Sequence, residues 1–320
     1  MNKCLCCNKE IKNPTEYESK VRWHSRCIKR FFGTAVLPEI DCSEQELERI
    51  ANSAVNKGLT VPGVQKKLSL HLESADSSAK LTIVDYPTGY ILKPQSGAFE
   101  QLPEAEYLTT KMAETAGIKV VPNALIFKGG QYSYITRRVD RYKERMLAME
   151  DFCQLSGRPT SDKYRSSYEN CGKVIKTYSK NVGIDLTEFF YRLLFCFVTG
   201  NSDMHLKNFS LIEDGPKSRC FGLSPAYDML PVNIIMPEDK EQMALSLNGK
   251  KRNIRRKDFF ILADNLGIHK NTADRLMAKM VLYKDEFIHE AGDSLLYNEM
   301  KERLIDLISA RIECLSPTVS

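Results

Sequence analysis

DLTEFFYRLLFCFVTGNSDMHLKN, residues 185–208, runs an apolar segment straight into a polar loop. Leu186, Phe189, Phe190, Leu193, Leu194, Phe197 and Val198 recur at the spacing of one buried helical face, and Gly200 ends the run. Asp203, His205, Lys207 and Asn208 then follow within six residues. Asp-x-x-x-x-Asn is the pattern of a kinase catalytic loop, in which the Asp takes the substrate hydroxyl proton and the Asn holds Mg²⁺. Read alone, Gly-Asn-Ser-Asp is equally a helix C-cap and turn, so the meaning depends on the flanking segments.

Upstream, LTIVDY (81–86) and GYILKP (89–94) flank Pro87-Thr88-Gly89 and read as a β-hairpin. Lys93 ends the second strand, placed to hold phosphates. PEAEYLTTKMAETA (103–116) reads as a helix with Gly117 past its end, and its Glu106 is placed to pair with Lys93. ALIFKGGQYSYITRRV (124–139) reads as strand, Gly-Gly turn, strand. Downstream, 208–212 and 219–223 read as short strands about the turn at 214–216, and Asp228 follows in LSPAYDML. From about 257 to 315 the pattern is helical. The order strand Lys, helix Glu, Asp/Asn loop, hairpin, Asp is that of a phosphotransferase. Asn208 and Asp228 offer the hard oxygens Mg²⁺ prefers. Lys207 is placed to neutralise a γ-phosphate, and His205 reads as a brace, because Asp203 already fills the role of base.

The 320 residues suffice for a large core and two lobes, and 42% hydrophobic with 27% charged residues is ordinary for a globular enzyme. A net charge of +5 is too small to establish a nucleic-acid partner. No run reaches 18 apolar residues and MNKCLCCNKE lacks a signal-peptide core, so a cytoplasmic protein without a membrane partner is expected. In that compartment ten cysteines do not predict disulfides. Cys153 and Cys196 lie in apolar surroundings and read as core fillers. Three cysteines fall in the first seven residues. Cys4-x-x-Cys7 and His24-x-x-Cys27 form two ligand pairs across sixteen residues, the spacing of a closed structural Zn²⁺ site. Cys6 competes with Cys7 in register. Trp23, Phe31 and Phe32 are expected to pack beside the metal. SEQELERIANSAVNK (43–57) reads as a helix with a Ser43/Glu46 capping box, and 58–72 turns into strand-like alternation.

Several ordered stretches together resemble the HipA family of bacterial toxin-antitoxin kinases: TVPGVQKKLSL (60–70), GYILKP (89–94), EAEYLTTKMAETAGI (104–118), YITRRVDR (134–141), MEDFCQLSG (149–157), KYRSSYE (163–169), TGNSDMHLKNFSL (199–211), LSPAYDMLP (223–231) and LSLNGKKRNI (245–254). The resemblance implies an α+β, bilobal protein-kinase-like fold. With the Cys/His pattern at the front, where the chain departs from the longer members of the family, the expected parts are a zinc-binding module (1–35), a β-rich lobe (36–141) and a helical lobe (142–320). It implies a serine/threonine protein kinase using ATP and Mg²⁺, with Asp203 as base, Asn208 and Asp228 as Mg²⁺ ligands, Lys93 on ATP phosphates and Glu106 orienting Lys93. The loop containing Val61, Gly63, Val64 and Gln65 would cover the phosphates, and Thr60 would stand at the family's autophosphorylation site, where a Ser is usual. The resemblance further implies a HipB-like helix-turn-helix antitoxin, contact with DNA only through that antitoxin, and an aminoacyl-tRNA synthetase as substrate. Only 57 residues precede the loop, which matches the shorter toxins whose extra subdomain is a separate HipS-like protein.

Two other readings stand beside this one. KKRNIRRK (250–257) with a zinc ribbon fits a DNA- or RNA-binding regulator on a degenerate kinase fold, although the run also reads as a solvated helix start. A small-molecule or lipid kinase fits as well, because fold does not fix substrate.

Overall fold

The computed structural model describes residues 3–43, 49, 67–75, 78–142 and 145–317. The expected helix 43–57, nearly all of it, and the expected phosphate loop with Thr60, Val61, Gly63, Val64 and Gln65 lie outside the described residues. The chain is α+β and divides into two compact units, residues 1–107 with 121–141, and residues 108–120 with 142–320.

The first unit begins with helices α1 (Glu16–Val21) and α2 (Ser25–Phe32). A reciprocal Thr15/Glu18 capping box starts α1, and Gly33 ends α2 in the left-handed conformation. Six strands follow: β1 (Glu39–Ile40), β2 (Leu68–Ala75), β3 (Ser78–Val84), β4 (Tyr90–Pro94), β5 (Asn123–Lys128) and β6 (Gln131–Arg137). They form one sheet in the order β1-β3-β2-β4-β6-β5, with β1 parallel to β3 and every other pair antiparallel. The sheet curls, because Lys128 at the end of edge strand β5 donates to Ile40 O at 2.8 Å and Cys42 O at 2.6 Å beside the other edge. Gly129 (φ 61°) and Gly130 (φ 77°) turn β5 into β6 as the Gly-Gly pair requires.

The expected 81–94 hairpin is corrected. β3 and β4 are not neighbours; β2 lies between them and pairs with both. The crossover at 87–89 is held where it passes β2. Thr88 Oγ1 donates to Leu70 O at 2.5 Å, Gly89 O accepts the Arg138 N–H at 2.8 Å, and Pro87 O accepts from Arg141 at 3.0 Å. With these groups engaged outside a β3–β4 ladder, Pro87-Thr88-Gly89 does not close a hairpin.

Helix α3 (Leu102–Thr115) leaves the first unit and its second half belongs to the next. Two short strands, β7 (Arg141–Tyr142) and β8 (Arg145–Met146), stand at the second passage between units. The second unit then holds a small antiparallel sheet, β11-β10-β9, from β9 (Met149–Asp151), β10 (Ser210–Glu213) and β11 (Phe221–Leu223). Around it lie helices α4 (Phe152–Leu155), α5 (Tyr168–Tyr178), α6 (Val182–Thr199), α7 (Val232–Ile235), α8 (Arg256–Leu266), α9 (Lys270–Leu282), α10 (Lys284–Gly292) and α11 (Asn298–Leu315). α6 is the post of this unit. Every residue from Phe189 to Thr199 is buried, Cys196 among them, and Cys153 is buried on α4. Gly200 ends α6 at φ 71° with its N–H on the helix carbonyls.

The basic run 250–257 is the approach to α8, with Arg255 as N-cap. Lys250 Nζ lies 2.7 Å from the buried Asp258, Lys251 lies 3.2 Å from Glu241, and Arg256 pairs with Asp274 and Leu315 O. Among the described residues, no helix is long and apolar enough to cross a membrane.

Candidate active site and metal centre

In the second unit, two polar residues of α6 set the approach to the acidic loop. Asp185 Oδ2 accepts the Leu223 N–H at 2.8 Å and the Ser179 hydroxyl at 2.6 Å, while buried Arg192 donates to Ser224 O at 3.0 Å. They hold the end of β11, five residues before Asp228. At the other end of α6, the loop after Gly200 is fixed by Phe209. Its ring meets Phe152 (5.7 Å), Phe189 (5.0 Å) and Tyr168 (6.4 Å), and its carbonyl accepts the Phe152 N–H. Buried aromatic contacts of this kind add about 0.5–1.5 kcal/mol each beyond area burial.

Between these anchors the loop closes on itself. Asn208 Nδ2 donates to Asp203 O at 2.9 Å across the five-residue spacing, which leaves Oδ1 as the ligand atom of that amide. Asn201 ties the two acidic positions together: its Oδ1 accepts the Asp203 N–H at 3.2 Å and its Nδ2 donates to Asp228 O at 3.5 Å. Asp228 has φ 54°, a left-handed conformation that Asp and Asn tolerate better than bulkier residues. Tyr164 donates to Asp203 Oδ1 at 2.5 Å. Burial, and then the adjacent Asp203 charge, push the Tyr164 phenol well above its ordinary range and keep it a donor.

His205 is buried. Its Nδ1 accepts the Lys207 N–H at 3.2 Å, and its Nε2 stands 4.0 Å from Asp203 Oδ2. Lys207 reaches Asp151 at 2.7 Å, and its carbonyl accepts from Tyr227, which also bonds Ser210. Four residues that sequence reasoning did not single out therefore shape the loop: Tyr164, Asn201, Asp151 and Tyr227. Tyr164 meets Asp203 across 39 positions and Asp151 meets Lys207 across 56, separations that leave no local pattern. Asn201 was legible in principle, as a buried-helix C-cap followed by an amide.

In the first unit, Lys93 and Glu106 meet. Lys93 Nζ lies 2.5 Å from Glu106 Oε1, with the side chains 3% and 0% exposed. The ammonium also stands 5.4 Å from the centre of the Tyr134 ring. A buried pair of this kind is strongly destabilised when one partner is removed, by about 3–5 kcal/mol.

The same unit brings Cys4, Cys7, His24 and Cys27 together, one ligand atom from each, all within 4.8 Å of one another. His24 Nδ1 lies 3.5 Å from Cys7 Sγ and 3.8 Å from Cys27 Sγ. Ligands about 2.3 Å from a tetrahedral Zn²⁺ stand about 3.8 Å apart, so the donor set fits that ion. Nε2 of His24 lies 3.3 Å from Glu10 O. That contact assigns the ring proton to Nε2 and turns Nδ1 toward the sulfurs, the arrangement of a metal-bound histidine. Hydrogen bonds with Cys27 and Cys4 hold Cys7 far below the usual thiol range, while those with Cys27 and Cys7 push Cys4 far above it. The four-atom group contains Cys7, and Cys6 is buried beside it, in interaction with Cys27. Trp23, Phe31 and Phe32 form an aromatic cluster with centroids 4.8–5.7 Å apart.

Comparison with known proteins bears on both units. Residues 59–285 match the family model described as HipA-like C-terminal domain. “Putative kinase Y4mE” of Sinorhizobium fredii is 30% identical over 204 residues, covering 60% of this chain and 46% of that protein. A “Putative kinase” of Haemophilus influenzae is 26% identical over 283 residues, covering 79% and 80%. Among solved structures, HipA in a Shewanella oneidensis toxin-antitoxin complex with HipB and operator DNA superposes with a TM-score of 0.67. It is 19% identical, with 81% of this chain and 65% of that one covered. The Helicobacter pylori proinflammatory kinase CtkA gives a TM-score of 0.52 at 12% identity, covering 77% and 95%. These two likenesses show the fold. The matched region spans about half the length of the Sinorhizobium relative.

Proposed function

The chain belongs to the HipA-like C-terminal domain family, and from that membership we propose that it is an ATP- and Mg²⁺-dependent serine/threonine protein kinase, the toxin of a toxin-antitoxin pair. The observation that carries the reading is the 200–208 loop. There Asn208 is bonded to the backbone of Asp203, and Asn201 links Asp203 to Asp228. Phosphoryl transfer asks of the protein mostly positioning and charge stabilisation, and this loop is built for positioning.

Mg²⁺ with ATP, when bound, supplies the phosphoryl group and neutralises its charge. Asn208 Oδ1 and the Asp228 carboxylate are the oxygens that would hold the cation. Asp203 orients the acceptor hydroxyl and takes its proton at Oδ2, while Tyr164 fixes the carboxylate through Oδ1. His205 braces the loop through the Lys207 amide. Lys207, now on Asp151, is the cation within this loop available to a γ-phosphate. In the other unit Lys93 is the phosphate-contacting lysine, and Glu106 orients it. A loop over the phosphates at 61–65 and a phosphoacceptor at Thr60 follow from the family resemblance.

A helix-turn-helix antitoxin as partner is supported by the fold likeness to HipA solved with HipB and operator DNA. An aminoacyl-tRNA synthetase as the phosphorylated protein rests on the family resemblance. The test is Asp203→Gln, assayed by transfer of labelled γ-phosphate to protein in lysate and by growth on induction. A general base contributes about 10²- to 10⁴-fold, so labelling should fall by that factor and growth arrest should disappear. A variant as active and as toxic as the wild type would overturn the assignment. Labelled phosphoserine or phosphothreonine in a protein band separates this reading from a small-molecule or lipid kinase.

A further inference from the structure

The N-terminal residues are not an appended ribbon. Their hydrogen bonds run into the sheet that carries Lys93. Leu5 O accepts the Leu125 N–H of edge strand β5 at 2.9 Å, and Trp23 Nε1 donates to Leu125 O at 3.1 Å. Both exposed backbone groups of that edge residue are thereby covered. An uncovered edge would offer them to another strand. Tyr90 at the start of β4 meets Phe31 and Phe32 in tilted contacts at 6.0 and 5.3 Å and donates to Phe31 O at 3.2 Å. Arg22 reaches Tyr132 of β6. Tyr107, next to Glu106 on α3, donates to Cys4 O at 3.5 Å.

Three of these contacts come from a member of the Cys₃His group or from its immediate neighbour, and the Phe31, Phe32 and Arg22 contacts come from the segments on either side of His24 and Cys27. Leu5 follows Cys4, Trp23 precedes His24, and Cys4 supplies the carbonyl. Helices α1 and α2 are only six and eight residues long, too short to hold their fold by propensity. The 3–7 turn meets the start of α2 through the Leu5 N–H on Arg22 O at 2.8 Å and through the four-ligand group.

We propose that Cys4, Cys7, His24 and Cys27 bind one Zn²⁺, and that this ion is the clamp that closes the β5 edge of the six-stranded sheet and seats the Glu106 end of α3. The ion is structural: four protein ligands complete a tetrahedron and leave no position for substrate. This makes the front module part of the six-stranded sheet rather than a nucleic-acid reader. The inference does not rest on the kinase reading, and none of its readouts involves phosphate transfer.

The test uses the full chain. Metal analysis of freshly purified protein should give roughly one equivalent of zinc, the ion of a closed Cys₃His site. Trp23 is the single tryptophan of the chain, so its emission reports this module alone. Chelation should shift that emission to the red, and added Zn²⁺ should restore it. Hydrogen exchange, followed with and without chelator, should rise roughly tenfold or more in peptides covering 123–128 and 102–107. Exchange across 210–213 and 221–223 should stay the same. Cys7→Ser should lower zinc content and reproduce the exchange pattern. If that variant fails to accumulate, chelation and refilling of the wild type decide alone. Less than about half an equivalent of zinc, with no change in Trp23 emission on adding Zn²⁺ to chelated protein, overturns the site. Bound zinc with unchanged exchange at 123–128 overturns the clamp.

Discussion

Glu104 and Glu106 stand two positions apart on α3 and meet different surroundings. Glu106 has the ammonium of Lys93 at 2.5 Å. At Glu104 burial dominates and pushes the carboxyl up to about 7 from its ordinary 4.5, against a hydrogen bond from Gln101. The folded state therefore favours the protonated form. Its contribution to stability is full below about 4.5 and is lost as pH rises toward 7. Glu104→Gln, which keeps the shape and removes the charge, should raise unfolding stability at pH 8 by about 1–3 kcal/mol and change it little at pH 4. Urea unfolding at the two values measures this; equal effects at both would refute the burial argument. At this same scale the sequence was readable wherever the chemistry was local. The Cys-x-x-Cys and His-x-x-Cys pairs, and Asp203 with Asn208, are short spacings. Tyr164 and Asp151 were not readable, because each acts on a residue dozens of positions away through a single hydrogen bond.

Among the elements, the turn from α6 into its loop is the most exacting. Gly200 holds φ 71°, and a Cβ there would stand 3.1 Å from both Leu307 methyls and 3.2 Å from Asn233 Cβ. Gly200→Ala should cost about 1–2 kcal/mol in backbone conformation, with crowding added. The melting temperature should fall by roughly 2–4 °C per kcal/mol for a unit of this size. Calorimetry showing no shift would mean that the helix end relaxes freely. α6 was legible because seven apolar positions repeat at helical spacing, and the β5–β6 hairpin because a glycine pair takes up the positive φ of a tight turn without strain. The β3–β4 connection was misread. Sequence neighbours usually pair, and nothing local announces that β2, earlier in the chain, will occupy the place between them. β9 has three residues and no alternation to read.

For the whole molecule, charge is the property most easily overread. The net +5 and the run KKRNIRRK suggest a surface for nucleic acid. In the fold Lys250, Lys251 and Arg256 are engaged with Asp258, Glu241 and Asp274. The isolated chain should thus bind duplex DNA only at the non-specific level, with Kd about 10⁻⁴–10⁻⁶ M at physiological salt. Fluorescence anisotropy with random duplexes measures it. A Kd in the nanomolar range, lost on replacing these three side chains, would restore the nucleic-acid reading. Family and fold were legible at this scale because nine short stretches keep their order over some two hundred residues. No one of them was sufficient.

The two units are interleaved along the chain, and this has a consequence for synthesis on the ribosome. The first unit lacks β5 and β6 until residue 141 has been made, yet residues 108–120 within that span belong to the second. Leu108, Met112, Ala113 and Ala116 are buried in the finished protein, and Ala116 O accepts from Tyr191. Until α6 emerges, that half of α3 lacks its contact with Tyr191. At about 5–20 residues per second, the 58 residues from 142 to the end of α6 at Thr199 take about three to twelve seconds to add. Through that interval the apolar residues of that half of α3 wait for part of the unit that buries them, a natural place for a chaperone to act.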